Sequence, residues 1–238
     1  MIKPHLLLLS LFSSAFIMHN ANAEHRLTIG TKLLAAGWQG NNGFISSSFN
    51  SDEGAQLAFS ASYQFKKLYT GISVQNGKYN FSGTGPDQFT PANRVSTNNV
   101  DVEHQELDLI AGYYFWDRIS LFADIKGVSN TWSSNDYKQN FGGLGFGVSG
   151  FIPFSDSWTG FGSAGFVGRG DIKDDNKVKV GEGRSGALEI GAIYRIAQND
   201  TLNMGLKFRN YDFEYLDGST QEYSVNGIFI GYNHSFVM

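Results

Sequence analysis

Apolar side chains occupy every second position of this chain in about ten runs between Arg26 and Met238, each roughly a dozen residues long. The clearest run begins at Ala55, where Leu57, Phe59 and Tyr63 alternate with Gln and Ser. A period of two is that of a β-strand with one apolar and one polar face. The pattern therefore predicts an all-β chain built from two-faced strands.

The runs predict ten strands, with eight and twelve as alternatives. They cover residues 26–36, 55–65, 68–74, 107–115, 119–125, 141–152, 158–169, 188–194, 202–208 and 224–236. Short turns at residues 66–67, 116–118 and 198–200 alternate with longer polar connections, of which the longest runs from about Gly77 to Asn99. Such alternation is typical of a transmembrane antiparallel up-and-down β-barrel. For the run 158–169 the pattern leaves the outward face open.

A secreted soluble barrel or sandwich is the alternative, with the apolar face as its core. Gly143, Gly145 and Gly147 share the other face of their strand. A solvated face would favour Thr, Lys or Glu there, because interior Gly weakens a strand unless a close approach requires it. This row of glycines favours a crowded lumen, and so a membrane barrel.

Aromatic residues near the strand ends predict two interfacial girdles. The girdle near the short turns would contain Phe65, Tyr69, Phe115, Trp116, Phe154, Trp158 and Tyr194. The girdle near the long loops would contain Trp38, Tyr137, Tyr211, Tyr215 and Tyr223.

The first residues predict export. Lys3 precedes an apolar stretch from Leu6 to Met18, which ends in the small-residue site Ala21-Asn22-Ala23. The stretch is shorter than the roughly 20 residues of a membrane-spanning helix. We therefore predict a cleaved signal peptide at 1–23, a single barrel domain at 24–238, and a location in the outer membrane of a Gram-negative bacterium.

Composition agrees with this interpretation and narrows the chemistry. Charged residues make up 17% of the chain, below the roughly 25% of soluble domains. There is no Cys, so disulfides and thiolate metal sites are excluded. The net charge of −4 does not support nucleic-acid binding, which needs a basic face. No cofactor is predicted.

Two hairpins predict ion pairs inside the barrel. If residues 116–118 form a three-residue turn, Asp108 lies opposite Lys126, and the same count around 198–200 sets Glu189 opposite Arg209. Facing residues of antiparallel strands interact, although the register depends on turn length. Side chains and water would then fill the lumen, since barrels of about eight to ten strands have little interior room.

Three groups of residues invite a catalytic or metal-binding interpretation. His104 stands among Asp101, Glu103, Glu106 and Asp108, which resembles the acids and Asp–His pair of omptins, the ten-stranded outer-membrane proteases. No second strand supplies an Asp-x-His partner, so we expect a solvated loop base there.

The other two groups also favour structural roles. His234 and Ser235 are adjacent in a strand and must point to opposite faces, so they cannot form a dyad. The acidic loop of Asp171, Asp174 and Asp175 lacks EF-hand spacing and is expected to be solvated. We therefore predict no catalytic residue and no metal site.

The whole chain after the signal resembles the small outer-membrane β-barrel proteins of Gram-negative bacteria, the opacity-type and porin-like families. The signal end at Ala23, the repeated hairpins and the last strand carry this resemblance. It implies that Tyr232 and Phe236 belong to a C-terminal signal for the barrel-assembly machinery, although Val237 and Met238 follow. It also implies contact with outer-membrane lipid and lipopolysaccharide, and an extracellular ligand bound through the loops.

The leading functional hypothesis is a non-enzymatic barrel with a largely occluded lumen, whose surface loops serve adhesion or envelope integrity. A narrow porin-like channel for small solutes is the alternative. An omptin-like or lipid-modifying enzyme is the third hypothesis.

Overall fold

The computed structural model describes residues 25–43, 47–91 and 93–238. The signal peptide predicted at 1–23 lies outside the described residues. The strands are β1 His25–Asn41, β2 Ser48–Asn50, β3 Glu53–Phe65, β4 Leu68–Thr84, β5 Gln88–Phe89, β6 Arg94–Val95, β7 Asn98–Trp116, β8 Ile119–Trp132, β9 Lys138–Pro153, β10 Trp158–Lys173, β11 Lys179–Arg195, β12 Asp200–Tyr215 and β13 Thr220–Val237. Within the described part of the chain, no helix is long and apolar enough to cross a membrane.

Ten long strands form one closed antiparallel barrel. Each pairs with the next long strand along the chain, and β13 returns to pair with β1, where Leu33 lies opposite Ile230. The short β2 extends this sheet beside β1, while β5 and β6 form a separate hairpin. Closure gives every long strand two hydrogen-bonded neighbours, so no edge is left unpaired. The prediction of a ten-stranded up-and-down barrel is confirmed.

The two ends of the barrel differ in their connections. At one end residues 66–67, 117–118, 154–157 and 196–199 make short turns, and β1 begins and β13 ends beside them. At the other end the connections are 42–52, 85–97, 133–137, 174–178 and 216–219. The long loop predicted at Gly77 to Asn99 is wrong in extent, because β4 continues to Thr84 and β7 starts at Asn98.

Nearer the short turns, the barrel is apolar outside and polar inside. On β8 the Ile125 side chain is 59% exposed, whereas Lys126 beside it is 2% exposed. We call the outward apolar rows the belt: Ile29, Leu33, Leu57, Phe59, Ile72, Val74, Leu107, Leu109, Leu121, Ile125, Leu144, Phe146, Val148, Ile152, Ile190, Met204, Leu206, Ile228 and Ile230. Soluble monomers rarely expose an apolar surface that large, so the belt indicates contact with hydrocarbon.

The glycine row of β9 faces the lumen. A Cβ at Gly145 would lie 2.1 Å from Asp124 Oδ1, and one at Gly147 would lie 2.6 Å from Phe122 Cζ. Side chains of β8 thus occupy the space above these glycines. The structure also shows the orientation of β10, which the sequence pattern did not decide. Ser163 points inward and Phe166 points outward.

The polarity of the two faces reverses toward the end with the longer connections. On β12 the inward face changes from Asn203 and Lys207 to Tyr211 and Phe213, which are all buried. The outward face of the same strand changes from Leu206 to polar residues such as Asn210 and Asp212. We call this outer part the collar: residues 37–41, 48–55, 76–84, 98–105, 129–132, 138–142, 168–173, 179–186, 209–215 and 220–226.

Ion pairs link neighbouring strands on the outside of the collar. Arg184 Nη2 lies 2.5 Å from Asp212 Oδ2, and Arg169 Nη2 lies 2.5 Å from Glu182 Oε2. Hydrogen bonds from Arg169 and then Lys179 lower the pKa of Glu182 to about 2. These pairs are water-exposed and contribute little stability each. They show that the collar has the polarity of a soluble β-protein.

The predicted girdles are partly wrong. Near the short turns, Phe65, Trp116, Phe154, Trp158 and Tyr194 are exposed on the outside as expected, but Tyr69 is buried in the lumen. The residues predicted for the outer girdle all lie inside the collar: Trp38, Tyr137, Tyr211, Tyr215 and Tyr223. Their positions alternate with polar outward residues, so the aromatic side is the interior there.

Candidate functional site

The middle of the lumen holds a balanced set of buried charges. We call this set the charge network: Lys32, Lys126, Lys207, Arg209, Glu106, Asp108, Asp124 and Glu189. It contains four basic and four acidic residues, each at most 9% exposed. Buried charges are tolerated only when they are paired and hydrogen-bonded. The network therefore depends on its internal contacts.

Glu106 is the centre of the charge network. Its Oε1 lies 2.9 Å from Arg209 Nη1 and accepts a hydrogen bond from the Tyr211 hydroxyl at 2.6 Å. Its Oε2 accepts a hydrogen bond from Lys126 Nζ at 3.2 Å. His104 Nε2 lies 2.8 Å from Oε1. One carboxylate thus joins residues of β7, β8 and β12 across the lumen.

Asp108 and Lys126 lie directly opposite each other on β7 and β8, with Oδ1 and Nζ 3.4 Å apart. The turn differs from the predicted one, however. It has two residues, Asp117 and Arg118, and Phe115 is an extra residue in the ladder between Tyr114 and Trp116. A shorter turn and one bulged residue give the same register as the three-residue turn of the prediction.

The prediction that Glu189 faces Arg209 is wrong. Glu189 faces Lys207, because the turn is longer than predicted and Arg195 rather than Ala197 pairs with Thr201. A shift of two residues keeps both side chains on the lumenal face. Glu189 and Arg209 both belong to the charge network, but each forms its ion pair with a different residue.

Glu189 and Arg209 make their contacts across the lumen. Lys32 Nζ on β1 donates a hydrogen bond to Glu189 Oε1 at 2.6 Å, and Arg209 on β12 pairs with Glu106 on β7. Arg209 Nη2 also donates to Gln75 Oε1 at 2.6 Å. Lys32 and Lys207 were not predicted as lumenal charges. Their positions in the inward alternation of β1 and β12 are the signal that could have identified them.

The acidic cluster around His104 is divided between the two faces of β7. His104, Glu106 and Asp108 point inward, whereas Asp101 and Glu103 point outward. The expectation of a solvated loop is wrong for His104, which is 0% exposed and has the Trp38 ring centroid 5.3 Å away. Its buried imidazole contacts Glu106 and Asn130, with His104 Nδ1 2.7 Å from Asn130 Oδ1.

Between the charge network and the end with the longer connections, the lumen is filled by aromatic side chains. Trp38, Tyr79 and Phe81 pack with their rings edge to face, and Tyr211 stacks on Tyr223 with centroids 4.6 Å apart. Aromatic rings bury large areas and prefer such geometries. Together with the charge network they occlude the lumen at two successive levels.

The connection between β4 and β7 closes the mouth of the barrel. We call residues 85–97 the cap segment. Trp132 Nε1 donates to the carbonyl of Pro86 at 2.8 Å, and the Tyr137 hydroxyl donates to the carbonyl of Phe89 at 2.5 Å. The Phe89 ring stacks on Tyr215 at 3.5 Å. These contacts hold the backbone of the cap segment against the collar.

A buried acid also anchors the cap segment. Asp87 pairs with Arg94, and its backbone N–H donates to Asn42 Oδ1 at 3.0 Å. Burial raises the pKa of Asp87, and the hydrogen bond and charge of Arg94 oppose that rise. The sequence indicated a long loop here, but nothing in its pattern showed that the loop folds over the mouth.

The remaining predicted residues lie near the ends of the barrel. Tyr232 and Phe236 are exposed on the outside of β13, and Tyr232 donates a hydrogen bond to Asp200. His234 Nδ1 lies 2.8 Å from Asp200 Oδ1, while Ser235 points inward and contacts Thr28 at 2.9 Å.

The acidic loop is held by its own turn. The expectation of a solvated loop is wrong for Asp174, which is buried because its Oδ1 accepts a hydrogen bond from the backbone N–H of Val178 at 2.7 Å. No group of three or more His, Asp or Glu side chains is placed to hold a metal ion within residues 25–43, 47–91 and 93–238.

Comparison with solved structures identifies the fold. The outer membrane protease OmpT from Escherichia coli aligns with a TM-score of 0.58 and 10% sequence identity, over 94% of this chain and 100% of that chain. Neisserial surface protein A aligns with a TM-score of 0.37 and 12% identity, over 88% and 97% of the two chains. The beta domain of the Bordetella autotransporter BrkA aligns with a TM-score of 0.42 and 11% identity, over 90% and 100%.

No family model and no curated protein matches the sequence. At 10% identity the likeness to OmpT concerns the fold alone. This protein has the fold of an outer-membrane β-barrel.

Proposed function

We propose that this protein resides in the outer membrane of a Gram-negative bacterium as a closed, non-enzymatic barrel, and that its collar makes the contacts that serve adhesion or envelope integrity. The occlusion of the lumen at two levels carries this proposal. The charge network fills the middle of the barrel, and the aromatic residues with the cap segment fill its mouth. A barrel filled in this way offers its outer surface, and not its lumen, to other molecules.

The collar is the part of that surface that projects beyond the belt. Three of the outer connections are short, residues 133–137, 174–178 and 216–219. The exposed surface is therefore mainly the wall of the strands, with charged side chains such as Arg184, Asp212 and Glu222. Polar walls of this kind suit contacts with other charged surfaces.

We expect the reconstituted protein to be silent in planar-bilayer recordings. A variant in which residues 88–95 are replaced by two glycines should also be silent, because the charge network still fills the lumen below the cap segment. Discrete single-channel steps from the wild type would contradict the proposal and support the narrow channel. Steps from the shortened variant alone would identify the cap segment as a gate, which also supports a channel.

The collar proposal has its own test in cells. We expect loss of the protein to lower adherence of the bacterium or to raise its sensitivity to detergent. The wild-type gene should restore the property that is lost. A variant with Asp212→Asn, Glu214→Gln and Glu222→Gln should fold and reach the surface but should not restore it, because its collar has lost three outward acids. Full restoration by this variant would contradict a role for the collar charges. An Asp117→Asn variant, changed at the opposite end, is the matched control.

An omptin-like hydrolase is the second candidate, favoured by the fold match and by the contact between His104 and Glu106. The burial of His104 among aromatic rings argues against it, because a catalytic base must reach its substrate. Peptide cleavage by the purified wild type that is lost in His104→Asn would support this candidate instead.

A further inference from the structure

A groove interrupts the belt on the outside of the barrel near the short turns. It has a volume of about 900 Å³ and crosses strands β8 to β12. Its surface is almost entirely apolar, and Arg118 stands at its rim. The groove lies in the wall that faces hydrocarbon if the protein spans a membrane, so this inference depends on the membrane placement proposed above.

The registers of the strands explain the shape of the groove. One row across the barrel reads Ile119, Gly150, Gly162, Ile190 and Leu206 on β8 to β12. The row nearer the turns reads Ile152, Gly160, Ala192 and Met204 on β9 to β12. Small residues on the middle strands therefore form a floor, and large residues on the flanking strands form its walls. The floor is about two strand spacings wide, roughly 10 Å.

The packing of the chain itself accounts for two of the three floor glycines, because a Cβ at Gly160 would lie 2.7 Å from Phe154 Cζ and one at Gly150 would lie 3.3 Å from the carbonyl oxygen of Arg118. It does not account for Gly162. A Cβ at Gly162 would meet only Ile190 Cγ2, at 3.8 Å, which is an ordinary contact. By contrast, a Cβ at lumenal Gly143 would lie 2.5 Å from Val167 Cγ1. Because Gly weakens a strand and no neighbouring group fills the space above Gly162, that space is open to a molecule from outside the chain. Within the groove this open position lies between the walls formed by Ile119, Ile190 and Leu206, so a molecule from the membrane can fit there.

The rim of the groove indicates the charge of that molecule. Arg118 is exposed in the turn between β7 and β8 and makes no ion pair with any described residue. In outer-membrane barrels the short turns lie on the periplasmic side, so Arg118 would stand at the periplasmic border of the belt. A cation there, next to an apolar groove, complements a lipid with an anionic headgroup. The groove would bury the hydrocarbon chain, and the guanidinium would bind the phosphate.

We infer that the groove between Ile119 and Leu206 binds an acyl chain of an anionic phospholipid from the periplasmic leaflet, with Arg118 on its headgroup phosphate. A second copy of the protein in the groove is the competing occupant. The anionic lipid is favoured because Arg118, which has no ion pair among the described residues, can bind a headgroup phosphate, whereas the walls and floor offer a partner protein only apolar contacts.

The test compares lipid retention by the full chain and three variants. Each protein is inserted into vesicles of phosphatidylethanolamine and phosphatidylglycerol in equal amounts, extracted with mild detergent, and measured by native mass spectrometry. The wild type should retain phosphatidylglycerol in preference to phosphatidylethanolamine. Gly162→Leu should reduce that retention about tenfold by filling the floor, whereas Arg118→Gln should abolish the preference but leave some lipid bound.

Ala111→Leu is the matched control, because Ala111 is an outward belt-side position of β7 away from the groove. It should retain lipid as the wild type does. Equal retention by Gly162→Leu and the wild type would overturn the inference, as would protein dimers that disappear in Gly162→Leu. For the wild type and each variant, a change in gel mobility on heating reports that the barrel has folded and inserted. Failure to insert would contradict the membrane placement as well, whereas insertion without lipid retention would contradict the groove alone.

Discussion

Replacing Glu106 by Ala is expected to destabilise the folded barrel by about 3–5 kcal/mol, which is the usual result of removing one partner of a buried ion pair. Arg209 and Lys126 would lose their nearest carboxylate, and the Tyr211 hydroxyl would lose its acceptor. Each of these groups would remain buried in the lumen. The change should lower the midpoint of urea unfolding and the temperature at which the barrel loses its compact migration on a gel.

The control for this prediction is Glu103→Ala on the same strand. Glu103 points outward from the collar, where its Oε1 accepts hydrogen bonds from Asn76 at 2.8 Å and Gln105 at 3.0 Å. Exposed contacts of this kind contribute less than about 1 kcal/mol. Similar losses from the two substitutions would show that the charge network does not depend on Glu106. Glu106→Gln keeps the acceptor oxygen and should give an intermediate loss.

The number of strands and the lumenal side of the main hairpins were predictable from the sequence, because alternation is a local property of each strand. Asp108 and Lys126 could be placed opposite each other by counting from one turn. That count tolerated an error in the turn, since the bulge at Phe115 offset it. No such compensation exists at the turn after Arg195, so counting from the predicted turn places Glu189 opposite Arg209, two residues from its true partner Lys207.

Contacts across the lumen could not be predicted in the same way. Lys32 reaches Glu189 from a strand that is far from it in sequence, and Arg209 reaches Glu106 likewise. Such contacts depend on the diameter of the closed barrel and on the tilt of its strands, which are properties of the whole sheet. A periodic pattern shows which side chains point inward, but not which of them meet.

The polarity of the collar could not be predicted for a different reason. Tyr79 and Phe81 alternate with Lys78 and Asn80 just as an apolar face alternates with a polar one in a soluble sheet. The stretch also contains Gly and Asn, which favour a loop, so local pattern alone does not identify these strands as part of the barrel. Once the barrel closes, the aromatic residues of this alternation must share one interior with those of the other strands. The reversal of polarity then marks the level at which the medium outside changes.

Replacing Ile125 by Arg is expected to destabilise the protein in lipid vesicles by about 2–4 kcal/mol, the cost of an Arg on the lipid-facing side near the bilayer midplane. Ile125 is 59% exposed in the middle of the belt and lies between Leu109 and Leu144 on the neighbouring strands. The measurement is the equilibrium between folded and unfolded protein in vesicles as a function of guanidinium concentration.

Thr131→Arg tests the level at which the belt ends, because Thr131 is an outward residue of the same strand, six positions further into the collar. It faces Glu103 on β7 and Lys138 on β9, so an Arg there meets water and an acid as well as a base. Its expected cost is about 0–1 kcal/mol, as near an interface. In a water-soluble barrel both substitutions would be tolerated, and Ile125→Arg would improve solubility. A large loss from Ile125→Arg with little change from Thr131→Arg would therefore place the hydrocarbon boundary between these two residues of β8, where the outward face turns from apolar to polar.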